Sequence, residues 1–297
     1  MLWGIAMFAI CGNFAVIVYR VTWNRNSLQK SHGIYPFNLA ISDLLMGIYL
    51  LIIAVYDEIF RGDYVLHDLQ WRNGVLCHVA GFLSTLSSET SAMFILLITV
   101  DRFVVIQFPF GQFRPSLTFT RMICCAAWVI GLTVASLPLI VSDWEVYSYN
   151  SICVGLPLNH IAYPGSGYAT GVFIGVNSVI FILIATGQVL IYRANLANSR
   201  RTSLNAEQSK RRYKRDMAVT RQLSLVVVTD FLCWFPICIM GLMAQHGYLI
   251  SNSAYAWSAV VILPINSSIN PLLYTLTSLF TGVASRCLPN GDSSVRR

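Results

Sequence analysis

Seven long apolar stretches, each closed by charge or turn residues, constrain this chain more than anything else in it. They cover residues 1–19, 34–56, 75–108, 122–141, 167–192, 217–244 and 254–276. A helical bilayer crossing needs about 20 mainly apolar residues. The helix is the expected spanning form, because backbone groups left unpaired in hydrocarbon are too costly. The sequence therefore predicts an all-α membrane protein, one bundle of seven transmembrane helices over residues 1–297. Charged residues make up only 11% of the chain and hydrophobic residues 56%, whereas a soluble domain carries about 25% charged residues. Seven crossings use about 140 residues, so no sizeable soluble domain fits among them.

The basic residues set the orientation. Arg20, Arg25 and Lys30 follow the first stretch; Arg102, Arg114 and Arg121 lie between the third and fourth. Nine more, from Arg193 to Arg221, lie between the fifth and sixth, and Arg286, Arg296 and Arg297 close the chain. Eighteen of the 20 lysines and arginines thus fall on one side, while Arg61 and Arg72 share their loop with Asp57, Glu58, Asp63 and Asp68. Excess Lys and Arg marks the cytoplasmic side, which puts the N-terminus outside and the C-terminus inside, as an odd number of crossings requires. The net charge of +7 is then a topology signal and a surface for membrane lipids or a cytosolic partner, and it does not call for nucleic acid. The first stretch has no small-residue cleavage site and is followed by basic residues, so it reads as a retained helix.

Several short patterns fall on successive stretches. Gly12-Asn13 is in the first, Asn38-Leu39-Ala40-Ile41-Ser42-Asp43-Leu44 in the second, and Asp101-Arg102-Phe103 closes the third. Trp71-Arg72-Asn73-Gly74-Val75-Leu76-Cys77 opens the third and Trp128 is in the fourth. Cys233-Trp234-Phe235-Pro236 is in the sixth and Asn270-Pro271-Leu272-Leu273-Tyr274 in the seventh. In this order the set resembles the rhodopsin-like (class A) G-protein-coupled receptors over the whole chain.

The resemblance implies roles for individual residues. Arg102 would pair with Asp101 and, across the bundle, with Asp216, and on release would meet a heterotrimeric G protein; the plainer reading is a cap at the membrane boundary. Asp43, Ser91, Asn266, Ser267 and Asn270 resemble the family's pocket for an allosteric sodium ion, with a metal-free polar network as the alternative. Pro236 and Pro271 would kink their helices. Trp234 resembles a rotamer switch, and Tyr192 and Tyr274 resemble inner tyrosines that meet in the active state; ordinary packing is the alternative. Cys77 and Cys153 both lie outside in this topology, where a disulfide is expected. The other membrane cysteines read as small buried hydrophobes. A short amphipathic helix would follow the seventh span, with Cys287 beyond it either palmitoylated or a bare thiol. Arrestin, a receptor kinase, a homo- or heterodimer partner and a plasma-membrane location are further implications of the family.

Ligand class is narrowed by departures from the general pattern. Lys30, Lys210 and Lys214 are the only lysines, so the seventh span has none for a retinal Schiff base. Ser84 stands where an amine receptor would carry an acid. The fifth span lacks a proline, the sixth carries Asp230 and the third carries Glu89. Together these resemble the leucine-rich-repeat-containing branch of hormone receptors, and Trp234 with Asp101-Arg102-Phe103 favours its relaxin-receptor-like side. Asp230 would form a polar latch with Asn266 and Asn270. No leucine-rich repeat accompanies the helices, so the chain is expected to be a fragment or a truncated receptor, poor at capturing a large hormone alone. A peptide contact is expected at 57–71 and 144–164. No inverted repeat of the transporter type appears, and no catalytic constellation suggests an enzyme; a decoy or dimerisation partner remains the alternative function.

Overall fold

The computed structural model describes residues 2–108, 115–156, 163–202, 207–248, 250–251, 254, 257–262 and 264–272, with backbone alone at 197–202, 207–220, 222–223, 245 and 259–260. Among the described residues there is no strand. The first span is Leu2–Thr22, the second Ser31–Ile59, the third Val75–Gln107 and the fourth Leu117–Ile140. The fifth runs continuously from Ser166 to Thr202, the sixth is Glu207–Gln245, and the seventh is helical at 264–272 after a π-turn at Ser258–Ile262. The third span is the hub, packing against the second, fourth, fifth and sixth.

The distribution of side chains is inverted relative to a water-soluble protein. Phe8, Phe14, Met122, Val129, Ile182, Leu183 and Leu232 are exposed on the outside, while Asn13, Asp43, Glu89, Asp101, Arg102, Asn177 and Asp230 are buried inside. Such a surface suits hydrocarbon, and intramembrane ionisable groups are expected to face the bundle interior. Five of the described helices are long and apolar enough to cross a membrane. The third span carries Ser84, Thr85, Ser87, Ser88, Glu89, Thr90 and Ser91, all of them buried.

Helices approach closely where side chains are small. A Cβ on Gly12 would lie 2.9 Å from the Pro271 ring, so this glycine brings the first span against the seventh. Ser42 and Ser87 exchange hydroxyl-to-carbonyl hydrogen bonds of 2.8 and 2.7 Å between the second and third spans. Trp128 donates its indole N–H to Asn38 Oδ1 at 2.9 Å, tying the fourth span to the second.

The structure departs from the apolar-run boundaries in three ways. The fifth span continues ten residues beyond 192 and the sixth starts ten residues before 217. These extensions are charged, so hydropathy cannot find them, yet Lys, Arg, Glu and Gln are good helix formers. A nine-residue helix, Tyr64–Arg72, occupies what reads as an outer loop. Finally, the fifth span has no proline but is not a regular α-helix: Thr170–Val176 is wound as a π-helix, a bulge of the kind often found at functional sites.

Candidate functional site

The polar groups form three clusters along the bundle axis. At the inner end, Arg102 is buried and forks onto Asp101: its Nε donates to Asp101 Oδ2 at 3.0 Å, and Nη2 reaches the same oxygen. The Ser31 hydroxyl donates to the other carboxylate oxygen from the start of the second span. Phe103 packs with Ile106 against Ile191 and Ala194, fastening the third span to the fifth. The backbone of Asp216 lies in the sixth helix, but its side chain is outside those described, as are Tyr274, Cys287 and the segment expected to form the amphipathic helix. Tyr192 is 64% exposed, so the structure does not bring it into the cluster around Arg102.

The middle cluster joins the first, second, third, sixth and seventh spans. Asp43 accepts from Ser267 Oγ at 2.9 Å and Asn270 Nδ2 at 2.7 Å, with the buried Ser91 beside the same carboxylate. Asn13 donates to the Ala9 and Ser267 carbonyls, both at 2.9 Å. On the sixth span Asp230 accepts from Asn266 Nδ2, while its second oxygen has no hydrogen-bond partner. The expected latch to Asn266 is present, but Asn270 turns to Asp43 instead of Asp230. Asn266 Oδ1 and Asn270 Oδ1 are likewise buried without partners. A carboxylate, two hydroxyls and orphaned amide oxygens are a hard, oxygen-only donor set that fits a small alkali cation.

Glu89 stands apart from that cluster. Its Oε1 accepts from Asn177 Nδ2 at 2.9 Å. Asn177 is the first α-helical residue after the π-turn, so the irregular winding aims this amide at the buried acid. Sequence reasoning singled out Glu89 but not Asn177, because a lone asparagine in an apolar run carries no signal of its partner. Ser31 was missed for the same reason.

At the outer end, the described part of the second outer loop folds back onto the bundle. Cys77 and Cys153 form the expected disulfide, joining the outer end of the third span to that loop. Cys153 adopts φ 56°, a region a non-glycine residue keeps only when its surroundings enforce it. Here the disulfide and the neighbouring carbonyls do so: Trp71 Nε1 donates to the Ser151 carbonyl at 2.7 Å and the Tyr49 hydroxyl to the Ile152 carbonyl at 3.0 Å. Val154 and Leu156 consequently descend onto Met46, Tyr49, Phe173 and Trp234, leaving a void of about 10 Å³, at or below the size that holds one water. Trp234 forms the floor and packs on Phe181 with ring centroids 5.6 Å apart; Pro236 follows inside the same helix.

A helical bundle with buried acids along its axis and a paired arginine at its inner end is the architecture of an integral membrane protein whose polar interior is built from side chains of several spans. The sequence profile of the 7 transmembrane receptor (rhodopsin family) matches residues 12–274, and the chain belongs to that family. It is 38% identical over 279 residues to the G-protein coupled receptor GRL101 of Lymnaea stagnalis, covering 93% of this chain and 24% of that protein. It is 31% identical over 281 residues to human relaxin receptor 2, covering 94% of this chain and 36% of that protein. The chain thus spans about a quarter to a third of the length of these relatives. The fold matches squid rhodopsin with TM-score 0.72 at 16% identity, over 97% of this chain and 79% of that one.

Proposed function

We propose that the chain is the signal-transducing part of a plasma-membrane receptor that couples a peptide or protein hormone of relaxin-like type to a heterotrimeric G protein. The observation that carries the coupling half is the buried Asp101–Arg102 pair at the inner end of the third span. A buried arginine released from its carboxylate is left with unsatisfied donors, which an incoming G-protein segment can accept. An agonist needs only to bind the released arrangement better than the closed one to shift the population. The test is Arg102→Ala at matched surface expression: nucleotide exchange by the G protein should vanish, and undiminished exchange would refute the reading.

Two observations support a large ligand over a small one. The 31% relative is named a relaxin receptor, and the space above Trp234 is filled by the chain's own Val154 and Leu156. A ligand must then act from the outer surface, through the loops that carry those residues. We assign the middle cluster to an allosteric sodium ion held by Asp43, Ser91, Ser267, Asn266 and Asn270. Such an ion would neutralise the Asp43 carboxylate and brace the second span against the seventh. Asp230 with Asn266 serves as a latch between the sixth and seventh spans that favours the resting state.

A further inference from the structure

A second depression opens on the outer face. It lies between the outer end of the second span, the helix Tyr64–Arg72 and the second outer loop, and encloses about 200 Å³. Tyr56, Phe60, Tyr64 and Trp71 line it, with Asp57 at its edge. The Tyr56 and Trp71 rings stack at 4.1 Å between centroids, and Phe60 is tilted against Tyr56 at 5.6 Å.

Several polar atoms of the walls are already engaged. The Trp71 indole bonds to Ser151, the Tyr64 hydroxyl donates to Asp68 at 2.5 Å, and Asp68 is paired with Arg72 at 2.7 Å. Burial and the neighbouring Asp68 both push the Tyr64 phenol up, so it stays neutral. Tyr56 and Trp71 cover one face of each other and His67 stacks on Phe60 at 5.0 Å, so what the depression offers a guest is the ring surfaces left open by these contacts and the Asp57 carboxylate. Arg61 does not take that carboxylate firmly: it lies 2.7 Å from Glu58 but 3.9 Å from Asp57, in a setting where both side chains of each pair are more than half exposed. Pairs this exposed contribute little.

Aromatic faces attract cations, and arginine more often than lysine occupies such places. A guanidinium is planar, stacks on rings and forks onto a carboxylate. The volume suits one side chain. The surrounding outer loops carry Asp57, Glu58, Asp63, Asp68, Asp143 and Glu145 against Arg61 and Arg72, a negative field that draws a basic peptide. We propose that this aromatic depression docks an arginine side chain of the receptor's peptide ligand, its guanidinium stacked on the rings and paired with Asp57. The inference rests on the receptor reading only for the existence of a peptide ligand.

The test uses the full chain in phosphatidylcholine nanodiscs, with Nα-acetyl-arginine amide titrated by saturation-transfer NMR. The arginine probe should saturate, while the uncharged isostere Nα-acetyl-citrulline amide and the ammonium analogue Nα-acetyl-lysine amide should bind at least ten-fold and three-fold more weakly. Asp57→Asn should weaken the arginine probe about three-fold, the size an exposed ion pair allows, and Tyr56→Leu about five-fold through the lost ring surface. Arg61→Ala, which removes an internal competitor, should tighten it two- to three-fold. Asp57 is 71% exposed, so its substitution should leave the thermal midpoint unchanged. Equal binding of the citrulline probe, equal binding of the lysine probe, or an unchanged titration in Asp57→Asn would each overturn the assignment. Basal nucleotide exchange measured on the same discs separates the two readings: exchange without arginine binding refutes this inference alone, and arginine binding without exchange refutes the receptor reading alone.

Discussion

Replacing Asp101 by asparagine should raise agonist-independent signalling about ten-fold. The side chain accepts two donors from the buried Arg102, one at 3.0 Å, and a third, part-buried, from Ser31. Hydrogen bonds to a charged group contribute about 1.5–3 kcal/mol and neutral ones about 0.5–1.5. Asparagine is nearly isosteric and keeps one acceptor oxygen, so the substitution removes charge without emptying the site. The loss is then about 1.5 kcal/mol, close to a factor of ten in an equilibrium constant. The loss falls on the closed arrangement, which alone holds Arg102 in this way. If the open arrangement starts at about 1% of the population, within the usual range for a minor state, it rises to about 10%. The assay is GTPγS uptake by a purified heterotrimer on receptor in nanodiscs, normalised to receptor amount. Asp101→Glu keeps the charge and should give a smaller rise. Basal uptake within two-fold of the parent in Asp101→Asn would refute the claim that this pair holds the resting state.

Four further outcomes are expected. Asp230→Ala removes the acceptor for Asn266 and should raise basal nucleotide exchange; an unchanged basal rate would sink the latch. Exchanging potassium for sodium at constant ionic strength should raise the thermal midpoint of the parent, and Asp43→Asn should abolish that difference; a cation-independent parent would remove sodium from the middle cluster. Gly12→Val forces a methyl into a space where Cβ alone already meets Pro271 at 2.9 Å; overpacking of this kind costs about 1–3 kcal/mol, so the melting temperature in nanodiscs should fall by several degrees. Cys153→Ser opens a link between residues 76 apart in sequence, for which loop entropy alone suggests about 4 kcal/mol; surface expression should drop, as read by antibody labelling of intact cells.

The sequence disclosed whatever rests on hydrophobicity, charge side or a fixed spacing. The helical spans, the Cys77–Cys153 bond and the positions of Asp43, Glu89 and Asp230 are of that kind, because an acid in an apolar run is conspicuous whichever way it points. Its partner is not conspicuous. Asn177 and Ser31 are ordinary residues in one dimension, and only the close packing of the third span on the fifth and second gives them roles. Regular periodicity also cannot anticipate a π-turn. Thr170–Val176 carries no proline and no charge, and its wider winding is a tertiary outcome that aims Asn177 at Glu89. The folding of the second outer loop onto the bundle was illegible for a related reason. Val154 and Leu156 read as unremarkable loop residues, and they become a plug only because the disulfide, Trp71 and Tyr49 together hold the preceding carbonyls. The same loop's carbonyls therefore fix two features at once, the closed void above Trp234 and the aromatic wall at Trp71. An outer-surface ligand that moves one must disturb the other, which is a physical reason for a peptide contact at the edge of the bundle to be felt at its centre.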